Sequence, residues 1–235
     1  MIEIGGLQKT TLIDYPGRVA ATVFLVNCNF RCPFCYSSEL VIPEKIKKQP
    51  RIPLKEFFSF LRERAGLLDG VVICGGEPCL NQELPQFIKK IKKLGYLVKL
   101  DTNGSNPSLL KKLIEEKLID YIAMDIKAPL NKKKYSGAIG REIDINLIKE
   151  SIKLIKDSGI EYEFRTTVVP GIHSKEDIIE IAKQLRPARK YFLQNFRPEK
   201  TNDPKFEKIR PYSKEKMSGM RQSCSKYIKA CFLRE

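Results

Sequence analysis

The sequence of 235 residues predicts a parallel α/β fold, a partial barrel of about six βα units. Three observations predict it. Short apolar runs alternate with segments whose apolar residues recur every three or four positions, the pattern of strands joined by crossover helices. The chemically interesting residues fall at the ends of the apolar runs, where parallel α/β folds gather function. The units fall short of the eight that close a complete barrel, so an open side needs covering. One domain spanning residues 1–235 accommodates this length.

The strands expected are residues 19–28, 71–75, 97–102, 121–126, 162–169 and 191–195. Amphipathic helices are expected over 54–65, 84–94, 108–117, 146–158 and 175–185, with the first βα connection enlarged. Gly95 and Gly159 follow two of these helices as stop signals, and Ser174 stands as an N-cap before Lys175, Glu176 and Asp177. A C-terminal helix is expected to carry Cys224 and Cys231 on one face, roughly 10 Å apart along its axis and packed in the core.

Lys and Arg number 43 against 28 Asp and Glu, a net charge of +15. Such a balance suits a nucleic acid, an acidic protein surface or an anionic cosubstrate. Many lysines, however, recur as pairs at 89–93 and 111–112, as solvated helix faces do. No zinc-finger spacing, aromatic strand signature or basic heptad supports a nucleic-acid partner. The opening MIEIGGLQKT lacks a charged start followed by an apolar stretch, and no run is long enough to span a bilayer. A soluble, cytoplasmic protein is therefore expected. Seven cysteines, three of them within eight residues, fit ligands or buried packing better than a disulfide framework.

The strongest local signal is CNFRCPFC, where Cys28, Cys32 and Cys35 follow CxxxCxxC in a loop leaving a strand. Thiolates favour iron–sulfur clusters or zinc, and short spacers let one loop converge three sulfurs on one centre. Zinc would need a fourth ligand from Cys74 or Cys79, because the single histidine, His173, lies far away in a Pro-Gly turn. As an acid–base group His173 has no visible partner and reads as a polar turn residue.

With Phe34 as the aromatic before the third cysteine, this motif resembles the defining signature of the radical S-adenosylmethionine superfamily. The resemblance implies one 4Fe–4S cluster held by Cys28, Cys32 and Cys35, with S-adenosylmethionine chelating the open iron. It continues at GGEP, where Gly75, Gly76 and Glu77 are implied to bind the cosubstrate's amino group. DTNG places Asp101 at the family's ribose or cation position, and MDIK places Asp125 and Lys127 toward the cosubstrate carboxylate. Arg165, in RTTVVPG, is implied to help neutralise that carboxylate. For Asp101, Asp125, Lys127 and Arg165 the alternative is a structural salt bridge in the barrel mouth.

Within the superfamily, residues 6–198 resemble glycyl-radical enzyme activases, most of all those of anaerobic ribonucleoside-triphosphate reductase. That implies a glycyl-radical enzyme as partner and a reduced flavodoxin or ferredoxin as electron donor. It also implies reductive cleavage of S-adenosylmethionine to methionine and a 5′-deoxyadenosyl radical, which takes hydrogen from a glycine Cα. No second set of cysteines, as in a ferredoxin-like insert, lies between Cys35 and Gly75. Two positions depart from the pattern: Tyr36 stands where many activases have a histidine after the third cysteine, and Phe196 lies about where some place a histidine late in the chain. Lys132 to Lys134 are candidates for docking an acidic partner. The alternatives are a small-molecule radical enzyme, such as 7-carboxy-7-deazaguanine synthase, and a non-catalytic metal-binding protein.

Overall fold

The apolar runs pair as one eight-stranded sheet with its strands in chain order. The computed structural model describes residues 2–234. The strands are β1 (Ile4–Thr11), β2 (Ala20–Leu25), β3 (Gly70–Gly75), β4 (Leu97–Thr102), β5 (Tyr121–Asp125), β6 (Glu161–Val168), β7 (Tyr191–Asn195) and β8 (Cys231–Arg234). β1 runs antiparallel to β2, and every later neighbour is parallel. The seven parallel strands are joined by six crossovers, which matches the expected partial barrel of about six units.

The enlarged first crossover holds α1 (Ser38–Val41), α2 (Pro43–Ile46) and α3 (Leu54–Glu63). α4 (Leu84–Lys92), α5 (Pro107–Glu115), α6 (Lys132–Ile139), α7 (Ile145–Asp157), α8 (Lys175–Leu185) and α9 (Lys214–Cys224) fill the others. Their apolar faces cover one side of the sheet. Because side chains alternate along a strand, Val98, Leu100, Ile122, Met124, Tyr162 and Phe164 enter that core. Lys99, Asp101, Tyr121, Asp125, Glu163 and Arg165 point the opposite way, into the barrel, and bond to one another there. The helix borders follow local chemistry. Ser174 and Asp177 form a reciprocal capping box at the start of α8, and Gly95 and Gly159 turn the chain at positive φ.

The structure differs from expectation where pattern was weak. β1 contains two glycines and three exposed residues, so its sequence lacks a strand period; it exists by pairing, Leu7 against Val23. α6 also went unseen because three lysines and Gly137 dilute its apolar face, although Asn131 caps it and Tyr135, Ala138 and Ile139 are buried. Its Lys134 is ion-paired with Asp177 of α8. The helix expected to carry both late cysteines ends at Cys224; Cys231 lies instead on β8, where the two thiols meet. Among the described residues, no helix is long and apolar enough to cross a membrane.

Candidate functional site

β2 stops at Leu25 and the chain turns out of the sheet at Asn27, which adopts φ of 74°. The loop that follows is curled by its own polar groups. Arg31 Nη1 donates to the carbonyls of Cys28 (2.5 Å) and Phe30 (2.7 Å), and the Cys35 amide donates to the Cys32 carbonyl (3.1 Å). The Arg31 amide is anchored on Ile139 at the end of α6 (2.7 Å). Through this curl Cys28, Cys32, Phe34 and Cys35 all line a cavity of about 320 Å³ at the carboxyl ends of the strands.

Burial pushes the Cys28 thiol up to about 11 and Cys32 up to about 12, and raises Cys35 as well. Each would be protonated at neutral pH until a cation binds it. The three are close enough for their charges to act on one another, whereas the Cys74 thiol, also lining the cavity, meets Asp101, Arg165 and Lys99. Among the described residues, no three His, Cys, Asp or Glu are placed to hold a single metal ion. Zinc draws its sulfurs around one atom, while a cubane attaches each thiolate to a different iron and needs a chamber walled by thiols. Three thiols lining one cavity fit that second requirement.

The GGEP turn lies directly against this loop. The Gly76 amide donates to the Leu25 carbonyl (2.8 Å), and the Glu77 amide donates to the Asn27 carbonyl (2.7 Å). A Cβ on Gly76 would sit 1.9 Å from the Asn27 carbonyl oxygen, and Gly75, at φ of 118°, would place one 2.3 Å from the Leu25 oxygen. Both obstacles are backbone. Gly76→Ala is therefore expected to cost about 3 kcal/mol and lower Tm by about 6–12 °C. An unchanged melting curve would show that the two segments can part freely.

Glu77 is 1% exposed and accepts from the Cys79 amide (3.0 Å), the Thr102 hydroxyl (2.6 Å) and the Asn103 amide (2.6 Å). Burial raises its pKa against these three bonds. The carboxylate thus ties GGEP to DTNG, and it lines the cavity beside the cysteine loop. Asn103, which sequence reasoning passed over inside DTNG, points its Nδ2 at Asn29 Oδ1 (3.0 Å) and the Cys28 sulfur (3.9 Å).

The floor of the cavity is an ion ladder. Arg165 donates from Nη1 to Asp101 (2.8 Å) and from Nε to Asp125 (2.9 Å). Lys99, 1% exposed, pairs with Asp101, and Lys127 pairs with Asp125 (3.1 Å). Burial works to raise both carboxyls, but Arg165 with Lys99 for one and with Lys127 for the other holds each below the usual range. Burial likewise works to lower Lys127, and Asp125 together with the thiols of Cys32 and Cys35 overcomes it, so this lysine stays charged beside the cysteine loop. Four of the residues singled out in sequence therefore meet, as partners of one another and as lining of one cavity.

His173 is not free. Its Nδ1 accepts from the Val169 amide (3.0 Å) and its Nε2 donates to the Lys127 carbonyl (2.8 Å), which fixes the neutral tautomer and staples the end of β5 to the turn after β6. Burial lowers its pKa. Thr167, Gln194 and Arg197 complete the wall without having drawn notice in sequence. Lumen-facing alternation along β6 and β7 was the signal for the first two.

Comparison with known proteins agrees with this geometry. The pattern of the "Radical SAM superfamily" matches residues 22–190, which reach from β2 to the end of the β6–β7 crossover. A Methanocaldococcus jannaschii protein named "Putative glycyl-radical enzyme activating enzyme" is 33% identical over 232 residues, covering 96% of this chain and 92% of that protein. The GTP 3',8-cyclase of Aquifex aeolicus is 24% identical over 183 residues, covering 73% and 53%. Among solved structures, Streptococcus suis SuiB bound to S-adenosylmethionine superposes with a TM-score of 0.65 at 16% identity. There 89% of this chain aligns with 48% of that one, so the likeness is one of fold. With CxxxCxxC walling a cavity at the strand ends and the family pattern spanning most of the sheet, the chain belongs to the radical S-adenosylmethionine superfamily, enzymes that work with a 4Fe–4S cluster and S-adenosylmethionine.

Proposed function

We propose that this protein is a glycyl-radical enzyme activase acting on anaerobic ribonucleoside-triphosphate reductase, with a reduced flavodoxin or ferredoxin as electron donor. The observation that carries the activase reading is the end-to-end correspondence with the M. jannaschii relative, whose name is that of a glycyl-radical enzyme activating enzyme and specifies no target; the reductase as target rests on the sequence resemblance over residues 6–198. No cysteine-rich insert between Cys35 and Gly75 favours the type of activase that lacks one.

In this reading Cys28, Cys32 and Cys35 hold the cluster, and Lys127 balances part of the thiolate charge. When bound, the cluster supplies the electron that splits the sulfonium bond of S-adenosylmethionine. The bare backbone of Gly75 and Gly76 and the Glu77 carboxylate would receive the ammonium. Lys127 and Arg165 would face its carboxylate, and Asp101 would take its ribose. Their ladder keeps these groups in place without a partner having to reorganise, which is the positioning that a radical reaction needs. Phe30 and Phe34, both buried on the cavity wall, exclude water.

The test is anaerobic reconstitution with iron and sulfide, followed by incubation with reductant, S-adenosylmethionine and candidate glycyl-radical enzymes. A glycyl doublet in the electron paramagnetic resonance of the ribonucleotide reductase is expected. Formation of 5′-deoxyadenosine with no doublet on any partner, but with turnover of a nucleotide or pterin, would place the protein among the small-molecule enzymes instead.

A further inference from the structure

We propose that residues 196–203 form a strap that sets the backbone of the cysteine loop, with Asn202 as its positioning residue. The proposal rests on the reading that Cys28, Cys32 and Cys35 hold a cluster, and it concerns a segment beyond the cysteine motif and beyond residues 22–190 that match the superfamily pattern.

The strap begins where β7 ends. The Phe196 amide donates to the Val168 carbonyl (3.3 Å), and its buried ring stacks on Tyr36, with centroids 6.1 Å apart at 18°. The Arg197 amide then donates to the Tyr36 hydroxyl (2.8 Å). The two positions that depart from the activase pattern are thus one contact, an aromatic pair that seats the strap beside the third cysteine. Farther along, the chain returns over the loop and grips it by its main chain. Asn202 Nδ2 donates to the Cys32 carbonyl (2.9 Å), the Asn202 amide to the Cys35 carbonyl (3.1 Å), and the Asp203 amide to the Pro33 carbonyl (2.9 Å).

The strap is itself braced. The Thr201 hydroxyl donates to the Asp203 carbonyl (2.7 Å), its amide to Glu207 (3.0 Å), and Asp203 caps the following turn at the Lys205 amide (3.0 Å). Phe206 meets the Phe196 ring edge-on at 6.5 Å. This matters because the loop's own bonds over 32–35 amount to little more than the Cys35 to Cys32 turn. Three thiols on a loose loop would have to be ordered at the moment of metal binding, and that entropic cost would weaken the site.

One detail separates positioning from packing. Asn202 Oδ1 is buried and, among the described residues, has no hydrogen-bond partner. A side chain there only to fill space would do so without stranding an acceptor. What the carboxamide offers in return is the donor on Cys32. Asn202 is not among the residues lining the cavity, so its effect should reach the cluster through the loop and leave cosubstrate contacts alone.

The experiment compares wild type, Asn202→Ala and the isosteric Asn202→Asp after anaerobic reconstitution. Iron per chain is measured, then the first-order loss of cluster absorbance in the presence of a chelator, with the KM for S-adenosylmethionine as a second readout. Wild type should carry about four irons per chain. Both variants should lose the cluster about fivefold faster with KM unchanged, because each lacks the donor to Cys32. Should Asn202→Ala fail to fold, Tyr36→Phe removes only the hydroxyl that seats Arg197 and should speed loss about threefold. Variants that hold the cluster as long as wild type overturn the strap. A wild-type protein that takes up one tetrahedral ion, or no iron, overturns instead the reading on which it rests.

Discussion

Cys32→Ala is expected to abolish cluster retention and to lower 5′-deoxyadenosine formation by about 1000-fold or more. The three thiols act as a unit, so losing one costs nearly as much as losing all. Cys32 is also the deepest of them, its thiol pushed up to about 12 by burial. Cys74→Ala is the matched control. That thiol lines the same cavity but faces Asp101, Arg165 and Lys99, so iron content should stay at the wild-type level. Iron and sulfide analysis alongside product formation decides the matter. Equal loss in both variants would mean that the cluster uses a fourth protein thiolate, and a full complement of iron in Cys32→Ala would remove the central assignment.

Arg165→Ala should be strongly destabilising. It leaves the buried Asp101 and the partly buried Asp125 with one cation each, and breaking one side of a buried ion pair costs about 3–5 kcal/mol. Because Lys99 and Lys127 remain, the lower end is expected, seen as a reduced urea midpoint with an unchanged slope. The same ladder sets an acid limit. Both carboxyls are held below the ordinary aspartate value of about 3.9, so their contribution is complete above that pH and is lost as pH falls below it, where the unfolded chain takes up protons first. Wild-type Tm should hold between pH 7 and 5 as far as these groups are concerned and drop below about pH 4. Asp125→Asn should flatten that drop; an equally steep fall in the variant would assign the acid sensitivity elsewhere.

Much of the site was legible before any coordinates. CxxxCxxC and GGEP are contiguous, and what they need from the fold is local: a loop short enough to curl and glycines whose backbone can lie against it. Glu77 was legible as a site residue but not as a lock, because its three donors come from Cys79, Thr102 and Asn103, two of them on another strand's exit. Tyr36 and Phe196 looked like two unrelated departures and proved to be one stacked pair. Cys231 was misplaced on a helix since four residues of β8 are too few to show a period.

The sequence alone determined the order of the six strands from β2 to β7 and of most helices between them, the thiol spacing and which strand residues share a face, because periods of two and of three to four are properties of neighbours along the chain. Only the tertiary structure decided which of those residues meet. Arg165 finds Asp101 across 64 positions because β5 lies between their strands in parallel register, and Asn202 reaches Cys32 across 170 because β7 delivers the strap to the barrel mouth. β1 and β8 likewise exist through the strands they pair with. The reason is common to all three: pairing register and the closure of long connections are set by the energy of the whole assembled sheet, which no local window of residues contains.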